Sequence, residues 1–205
     1  MGTDRKTAIL EAATQLFAQK GFSETSTAEI AENARVAQGT LFYHFTNKQG
    51  IIREIFSRAG SVYLAELNKA LARQDTGMEK IKTAIRFNRQ YSEHHSREIL
   101  IFLRIFPDLK DTQSPERDLI ELIRTRVTEM IRQCLASGIK DGTIECRNVD
   151  ETAWIINSLI FGINHMNFMV AAGMPDLTAN AVNFCSRALE PSTTGRQNNA
   201  NQQGV

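Results

Sequence analysis

Apolar residues recur along this chain at intervals of three and four, the spacing of helices, and no convincing run alternates like a strand. The first predicted helix runs from about residue 4 to residue 20 and ends at Gly21, a residue suited to a C-cap. Its apolar stripe consists of Ile9, Ala12, Ala13, Leu16 and Phe17. A second, short helix is predicted after Ser26, because Glu29 three residues on completes a capping box, and it ends near Ala34.

The stretch ARVAQGTLFYHFTNK predicts a third short helix, which starts near Ala37 after a tight turn. Two short helices at this spacing are typical of a helix-turn-helix motif. At about 100° per residue, one side of the third helix carries Leu41, Phe42 and Phe45, and we expect it to pack against the first two helices. The other side, which we expect to face solvent, carries Gly39, Thr40, Tyr43 and His44.

Longer amphipathic segments follow, separated by prolines and by glycine-containing turns. They are predicted as helices over about 48–74, 78–94, 96–106, 115–137, 149–172 and 175–189. The polar end of the chain, residues 191–205, has almost nothing to bury and is predicted to be disordered. The whole pattern predicts an all-α protein of about nine helices.

Composition narrows the class of protein without identifying a partner. Of the 205 residues, 42% are hydrophobic, enough for a sizeable core, and the formal net charge is only +1. A nucleic-acid partner would therefore need a local basic surface. Cys134, Cys146 and Cys185 are far apart and lack metal-ligand spacing, as expected for reduced thiols.

Two features favour a cytoplasmic protein without a membrane span. The N-terminus has no continuous apolar segment of the kind found in signal peptides. Residues 153–172 are apolar and of about membrane length, but they include Asn157, Asn164, His165 and Asn167. Such a polar load favours a buried helix.

The outward side of the third helix has the chemistry of a DNA contact. Tyr43 and His44 offer hydrogen bonds with apolar flanks, and Gly39 allows a backbone to approach closely. Gln38, at the front of the helix, can read a base edge. Donors suited to phosphate oxygens are Ser26, Thr27, Thr40 and Lys48. On the helical wheel alone, an ordinary amphipathic surface explains the tyrosine and histidine equally well.

The run AILEAATQLFAQKGFSETSTAEIAENARVAQGTLFYHFTNKQGII resembles the TetR family of bacterial transcriptional regulators. The motifs AAxxLFxxKGF, TSxxEIA, GTLFYHF and NKxxI occur in order with the expected spacings, and the match covers roughly residues 3–63. The resemblance implies that the third helix enters the major groove and that Thr27 and Lys48 hold phosphates. It also implies that five residues contact DNA, namely Gln38, Gly39, Thr40, Tyr43 and His44.

Some positions depart from the usual pattern of that family. Arg35 stands in the turn where the family favours Gly, which costs about 1 kcal/mol if the residue is left-handed. Ala37 stands where the family favours Ser and forgoes roughly 1 kcal/mol of helix capping. Phe42 replaces a common Tyr, and Arg35 can itself reach a phosphate.

By the same resemblance, residues 3–63 form the DNA-binding domain and residues 64–190 an effector-binding and dimerisation domain. The helix predicted over 149–172 is apolar nearly all round, so two of its sides must be covered. The helix predicted over 175–189 has similar character. In TetR-like proteins the last two helices form a four-helix interface between subunits. A protein that recognises DNA through one short helix also needs two-fold repetition to gain specificity. We therefore expect a homodimer that binds a palindromic operator in double-stranded DNA.

TetR-like proteins typically hold a small molecule among their middle helices. The candidate lining residues are Phe87, Tyr91, Phe102, Ile105, Phe106, Phe161, His165 and Met169. Each is more often plain core than ligand contact, but the set is apolar and aromatic and indicates a small lipophilic effector. Such a ligand would tilt the long helix that starts at Lys48 and release a repressor from its operator.

Competing functions find less support in the residues. No catalytic constellation or glycine-rich phosphate loop occurs between residues 77 and 189. His94, His95 and His165 with Glu98 suggest a metal site, but the adjacent His94 and His95 point in different directions on a helix, so we expect them not to share a metal. We predict no cofactor and no enzymatic activity. The alternatives are an architectural DNA-binding protein without an effector, and an all-α enzyme.

Overall fold

The computed structural model describes residues 2–105, 114–169 and 175–192. These residues form nine α-helices and no strand, so the predicted all-α class is confirmed. The helices are α1 (Gly2–Lys20), α2 (Thr27–Asn33), α3 (Gln38–His44), α4 (Lys48–Leu71), α5 (Gly77–His94), α6 (Ser96–Ile105), α7 (Pro115–Asp141), α8 (Val149–Met169) and α9 (Thr178–Leu189).

Some helix ends differ from the predicted ones. α4 ends at Leu71 rather than near residue 74. α7 continues beyond residue 137 to Asp141, and the left-handed Gly142, with φ of 78°, follows its end. α9 begins at Thr178 rather than near 175, and just before it the Asp176 carboxylate accepts the Thr178 amide at 2.9 Å, as in an Asx turn. The ends predicted at 106 and 172 and residues 193–205 of the predicted tail lie outside the described residues.

The connection between α1 and α2 follows from local chemistry. Gly21 has φ of 93°, a conformation that favours glycine, and its amide donates to the Phe17 carbonyl at 3.0 Å. The predicted capping box is present at the start of α2. The Glu29 amide donates to Ser26 Oγ at 3.2 Å, and the Ser26 amide donates to Glu29 Oε2 at 2.8 Å.

The chain packs into two compact units, and unit 1 contains Met1–Glu66 and Gln90–Arg126. Its core joins α1 to α4 with later parts of the chain, because Ile101 of α6 and Ile120 of α7 are buried in the same cluster. The largest fully buried side chains of that cluster are Phe17, Ile9, Ile30, Leu41, Ile51, Ile52 and Ile101. The helices of the predicted DNA-binding domain therefore share their core with α6 and α7. The functional boundary at residue 63 stays a prediction.

Unit 2 contains Leu67–Arg89 and Val127–Val205. Within it the start of α5 lies directly against α7, since a Cβ atom at Gly77 would stand 2.1 Å from the Gly138 nitrogen. The turn after α7 caps α5 as well. Asp141 Oδ2 accepts the Gly77 amide at 2.7 Å, and Thr143 Oγ1 accepts the Met78 amide at 3.2 Å. A side chain at Gly77 would force the two helices apart.

The three cysteines carry free thiols, as predicted. Cys134 and Cys185 are buried, whereas Cys146 is half-buried. Burial raises the pKa of the Cys134 thiol to about 11 and also raises the pKa of Cys185. A thiol is reactive as the thiolate, so the two buried cysteines behave as small apolar side chains.

In the part of the chain that the structure describes, no helix is both long enough and apolar enough to cross a membrane.

Candidate nucleic-acid interface

The helix-turn-helix predicted from the sequence is present in unit 1. α2 ends at Asn33, and the turn is closed by the Val36 amide, which donates to the Ala31 carbonyl at 3.0 Å. Arg35 occupies the left-handed region with φ of 54°, the strained conformation considered for this position. Ala37 precedes α3 in an extended conformation and makes no side-chain cap, so the first turn of α3 lacks that hydrogen bond.

α3 presents one apolar side to the core of unit 1. Leu41 is fully buried and Phe45 nearly so, as predicted. The Tyr43 side chain is 84% exposed, and Gln38 and Gly39 are exposed too. A Cβ atom at Gly39 would meet open space, so nothing there obstructs the approach of a partner. The exposure of Tyr43 agrees with the prediction; its contact with DNA stays a prediction.

Thr40 and His44 are half-buried on the same helix. The His44 ring meets the Tyr43 ring edge-on, with centroids 5.1 Å apart. The two rings therefore pack against one another at the surface of α3.

The prediction that Phe42 packs inward is wrong. Its side chain is 47% exposed. Leu41 and Phe45 lie one turn apart and already fill the inward side of this short helix. The Phe42 ring therefore lies at the border between the buried side and solvent. The signal was present in the sequence, because a single helical stripe has room for Leu41 and Phe45 but not for a third large side chain. Phe42 thus adds an apolar ring to the surface that carries Tyr43.

Two of the predicted phosphate donors, Ser26 and Lys48, have hydrogen-bond partners within the protein. The Ser26 hydroxyl donates to Glu29 Oε2 at 2.8 Å in addition to capping α2. Thr27 is half-buried at the first position of α2. Lys48 Nζ donates to the carbonyl oxygens of residues 22, 23 and 25, which sequence reasoning did not anticipate. Whether these groups contact phosphates stays a prediction.

A salt bridge lies beside the first turn of α2. Lys20 forms a salt bridge with Glu29. The hydrogen bond from Lys20, followed by those from Ser26, lowers the pKa of Glu29 to about 2. Arg35 is exposed in the turn. Its guanidinium is therefore placed at the surface, beside the exposed start of α3.

The candidate effector residues in unit 1 lie in packed surroundings. Tyr91 is buried, and its ring meets Tyr63 edge-on at 5.0 Å and stacks on His95 at 4.0 Å between centroids. Burial raises the pKa of Tyr91 to about 12, and the nearby carboxylates add to the shift. Phe102 meets Phe56 edge-on at 6.1 Å. These contacts give Tyr91 and Phe102 roles in the core of unit 1, and their part in an effector site stays a prediction.

In unit 2, Phe87 is half-buried, and Phe161 stacks on His165 with centroids 6.2 Å apart. The side chains of Ile105 and Met169, and all of Phe106, lie outside the described residues. A pocket of about 170 Å³ in this unit is lined by Asn68, Leu71, Ala72, Lys80, Met130, Gln133 and Cys134. None of the predicted effector residues lines it, and it is smaller than the pockets of roughly 300–1,000 Å³ that take drug-sized ligands.

α8 is apolar on two sides, as predicted. Ala153, Ile156 and Ile160 are buried on one side. The other side exposes the apolar residues Trp154, Ile155, Phe161 and Met166, of which Ile155 is 63% exposed. On α9 Phe184 is 68% exposed. A single chain therefore leaves large apolar side chains in water on both helices.

Comparison with known proteins agrees with this geometry. The profile of the bacterial regulatory proteins of the tetR family matches residues 9–55. The HTH-type transcriptional regulator YvkB of Bacillus subtilis (strain 168) is 30% identical over 161 residues, which cover 75% of this chain and 78% of that protein.

Solved structures share the fold. A protein from Saccharomonospora viridis in complex with choline superposes with a TM-score of 0.83 at 20% identity, over 93% of this chain and 100% of that one. The transcriptional regulator FadR from Bacillus subtilis, in complex with stearoyl-CoA, gives a TM-score of 0.75 at 20% identity, over 88% of this chain and 97% of that one.

A helix-turn-helix with an exposed third helix, carried by an all-α chain, defines a DNA-binding transcriptional regulator. Within that class, the chain belongs to the TetR family of bacterial regulatory proteins.

Proposed function

We propose that the chain is a repressor that binds a palindromic operator as a homodimer, with α3 of each copy in the major groove. The observation that carries this proposal is the exposed side of α3, where Tyr43 stands in solvent beside an unobstructed Gly39. A helix that presents aromatic and hydrogen-bonding groups without a bulky neighbour suits the groove of a duplex.

Residue roles follow from position on α2 and α3. In the proposed complex Gln38 and Tyr43 meet base edges and thymine methyl groups, and Gly39 lets the backbone approach. In the proposed complex Thr40 and His44 contact the sugar–phosphate chain. We assign Ser26 and Thr27, at the start of α2, to a phosphate contact, because amide groups and hydroxyls at a helix N-terminus suit phosphate oxygens. The phosphate contact predicted for Lys48 competes with the carbonyl bonds of its ammonium.

The proposed dimer forms through α8 and α9. Support comes from the exposed apolar side chains on both helices, which a partner copy would remove from water. Two copies also bring two α3 helices to one duplex, and successive major grooves on one face of DNA are about 34 Å apart.

We propose that a small lipophilic molecule releases the repressor. The FadR structure contains stearoyl-CoA, whose acyl chain matches the apolar character of the candidate residues. The Saccharomonospora viridis structure contains choline, so proteins of one fold bind different ligands and the fold alone does not select between them. The candidates Phe87, Phe161 and His165 lie in unit 2, whereas Tyr91 and Phe102 lie in unit 1.

The proposal gives the chain no catalytic activity of its own. The relative reported above is a transcriptional regulator. The lowered pKa values of the Glu29 and Asp141 carboxyls come from hydrogen bonds that hold helix ends, and the raised pKa values of Tyr91 and Cys134 come from burial, so these shifts have structural causes. The alternative of an architectural DNA-binding protein differs in one respect, because it would have no effector.

The first experiment selects bound duplexes from a random pool and footprints the enriched sequence. The proposal expects an inverted repeat protected on one face of the duplex, with a mass of two chains per site or a multiple of two. Enrichment of a sequence without two-fold symmetry would contradict it.

The second experiment titrates ligand and operator against each other, with stearoyl-CoA and choline as probes. An effector must weaken operator binding by its differential affinity for two states, typically about 5- to 150-fold, and the operator must weaken ligand binding by the same factor. We expect this reciprocity with stearoyl-CoA. Equal ligand affinity with and without operator for every probe would favour the architectural alternative.

A further inference from the structure

Lys48 makes a set of bonds that a DNA contact does not require. Its Nζ donates to the carbonyl oxygens of Phe22 at 2.6 Å, Thr25 at 2.7 Å and Ser23 at 3.3 Å. An ammonium has three N–H donors, so each of them has a carbonyl oxygen as acceptor. Nζ also lies 4.5 Å from the centroid of the Phe22 ring, within reach of a cation–π contact.

These bonds join the two ends of the helix-turn-helix. The carbonyls belong to the connection that enters α2, over residues 22–25, while Lys48 is the first residue of α4. α2, the turn and α3 all lie between them in the chain. One ammonium therefore holds the entry to α2 and the exit from α3 together.

The position of Lys48 on α4 serves the helix itself poorly. The preceding Asn47 already caps α4, because its Oδ1 accepts the Gly50 amide at 2.8 Å. A cation in the first turn is opposed by the helix dipole, and α4 has no acidic residue there to offset it. Burial lowers the pKa of Lys48, while the carboxylates of Glu24 and Glu29 act against that shift. Since the residue does not help to start α4, its bonds to residues 22–25 supply its structural role.

We propose that Lys48 is a positioning residue, a clasp that fixes the entry to α2 against the start of α4 and so sets the orientation of α3, without contacting a phosphate. Only its consequence for operator affinity rests on the proposed function, since the clasp exists in the free protein. A compact ammonium can be surrounded by three converging oxygens, whereas a planar guanidinium cannot. A positive charge at position 48 is therefore not sufficient to form the clasp, and Lys48→Arg breaks it.

The decisive measurement is amide hydrogen exchange in the full chain without DNA. Lys48→Arg and Lys48→Met should each speed exchange over residues 22–30 by about tenfold, because those amides lose a neighbouring restraint. Lys6→Met is the matched control. It removes another lysine of unit 1, bonded to Glu54 at 2.8 Å, and should leave residues 22–30 unchanged. A phosphate contact has no partner in the free protein, so wild-type exchange in both Lys48 variants would overturn the proposal.

A measurement on the wild type guards against variants that fail to fold. The ¹⁵Nζ ammonium signal of Lys48 should exchange its protons with water more slowly than that of Lys69, an exposed lysine of α4. Equal exchange for the two would count against the clasp whatever the variants do.

Binding to the selected operator supplies the last comparison. The clasp predicts that Lys48→Arg loses affinity by about tenfold although it keeps the charge, and that Lys48→Met leaves the slope of affinity against salt unchanged. A phosphate contact predicts wild-type affinity for the arginine variant and a slope reduced by about 1 per contact for the methionine variant. That second pattern would restore the phosphate role.

Failure of the wild type to bind any duplex would defeat the proposed function and leave the exchange result intact.

Discussion

α3 of unit 1 and the pair α8–α9 of unit 2 both expose large side chains with apolar surface, yet the extent of that surface differs. Beside Tyr43 and Phe42 stand Gln38, Thr40 and His44, which carry hydrogen-bonding groups. α8 and α9 expose five large apolar side chains between them, interspersed with polar residues, whereas α3 exposes two. Exposure therefore identifies a contact surface, and the extent of the exposed apolar surface indicates what it contacts. A short helix with few apolar groups and several hydrogen-bonding groups suits a DNA groove, whereas a larger apolar surface over two helices suits another copy of the chain.

The largest effect should follow a charge placed on the apolar surface. Phe184→Glu would bury an unpaired carboxylate in the proposed interface, so we expect monomers in sedimentation. Operator affinity should fall by at least about a hundredfold, since linking two DNA-recognition helices raises affinity by roughly 10²- to 10⁴-fold over that of one. Asn183→Glu is the matched control, because Asn183 is the exposed polar neighbour on α9. A dimeric, operator-binding Phe184→Glu variant would remove α9 from the interface.

Shortening an exposed side chain of α3 should weaken DNA binding without affecting the dimer. Tyr43→Ala should weaken operator binding by about 1–3 kcal/mol, or roughly 5- to 150-fold, while the mass of the dimer and the thermal midpoint stay unchanged. The same substitution at His44 should have a smaller effect in the same direction, because that ring is half-buried. Val62→Ala trims an exposed apolar side chain of α4 in the same unit and serves as the control. Unchanged operator affinity in the Tyr43 variant would take that residue out of the DNA contact.

The turn offers a smaller effect with two components. Arg35→Gly should raise the free energy of unfolding by about 0.5–1 kcal/mol, because glycine relieves the left-handed strain but adds disorder to the unfolded chain. If the guanidinium meets a phosphate, binding to operator and random DNA should fall together, with a salt slope lower by about 1 per subunit. Arg35→Ala keeps the strain and loses the charge, so it should share the binding loss without the gain in stability.

The smallest effect concerns acid. The pKa of Glu29 is about 2, below its ordinary value of 4.5, so the ionised carboxylate stabilises the fold at neutral pH. That contribution is fully present above pH 4.5 and is lost as the pH falls toward 2. The thermal midpoint of Glu29→Gln should therefore lie below that of the wild type at pH 7, and the difference should close over this range. A difference that persists at pH 2 would point to packing instead of charge.

Much of unit 1 could be predicted because its signals are local. The Ser26–Glu29 pair fixes the start of α2, and Gly21 fixes the end of α1, through bonds within four residues. Leu41 and Phe45 define the buried side of α3 by spacing alone. Such contacts depend on the order of residues and not on the path of the whole chain.

The errors and omissions involve partners that are distant in sequence. The bonds of Lys48 reach back 23 to 26 residues, and no periodicity reveals them. The burial of Ile101 and Ile120 with the N-terminal helices needs the tertiary arrangement of α6 and α7. Phe42 was misplaced for a different reason, since a wheel assigns direction without asking how many large side chains one side can hold. The candidate effector residues carry no motif of their own, so their roles stay predictions.

The half-buried Cys146 has a practical consequence for spectroscopy. Cys146 lies in the connection between α7 and α8, and its Sγ is 3.1 Å from Thr152 Oγ1. The other two thiols are buried and have raised pKa values. A maleimide dye at neutral pH should consequently attach at one position in each chain, without any engineered cysteine. Energy transfer between donor- and acceptor-labelled copies would then report subunit exchange in real time, and the unlabelled wild-type sequence would serve as its own competitor.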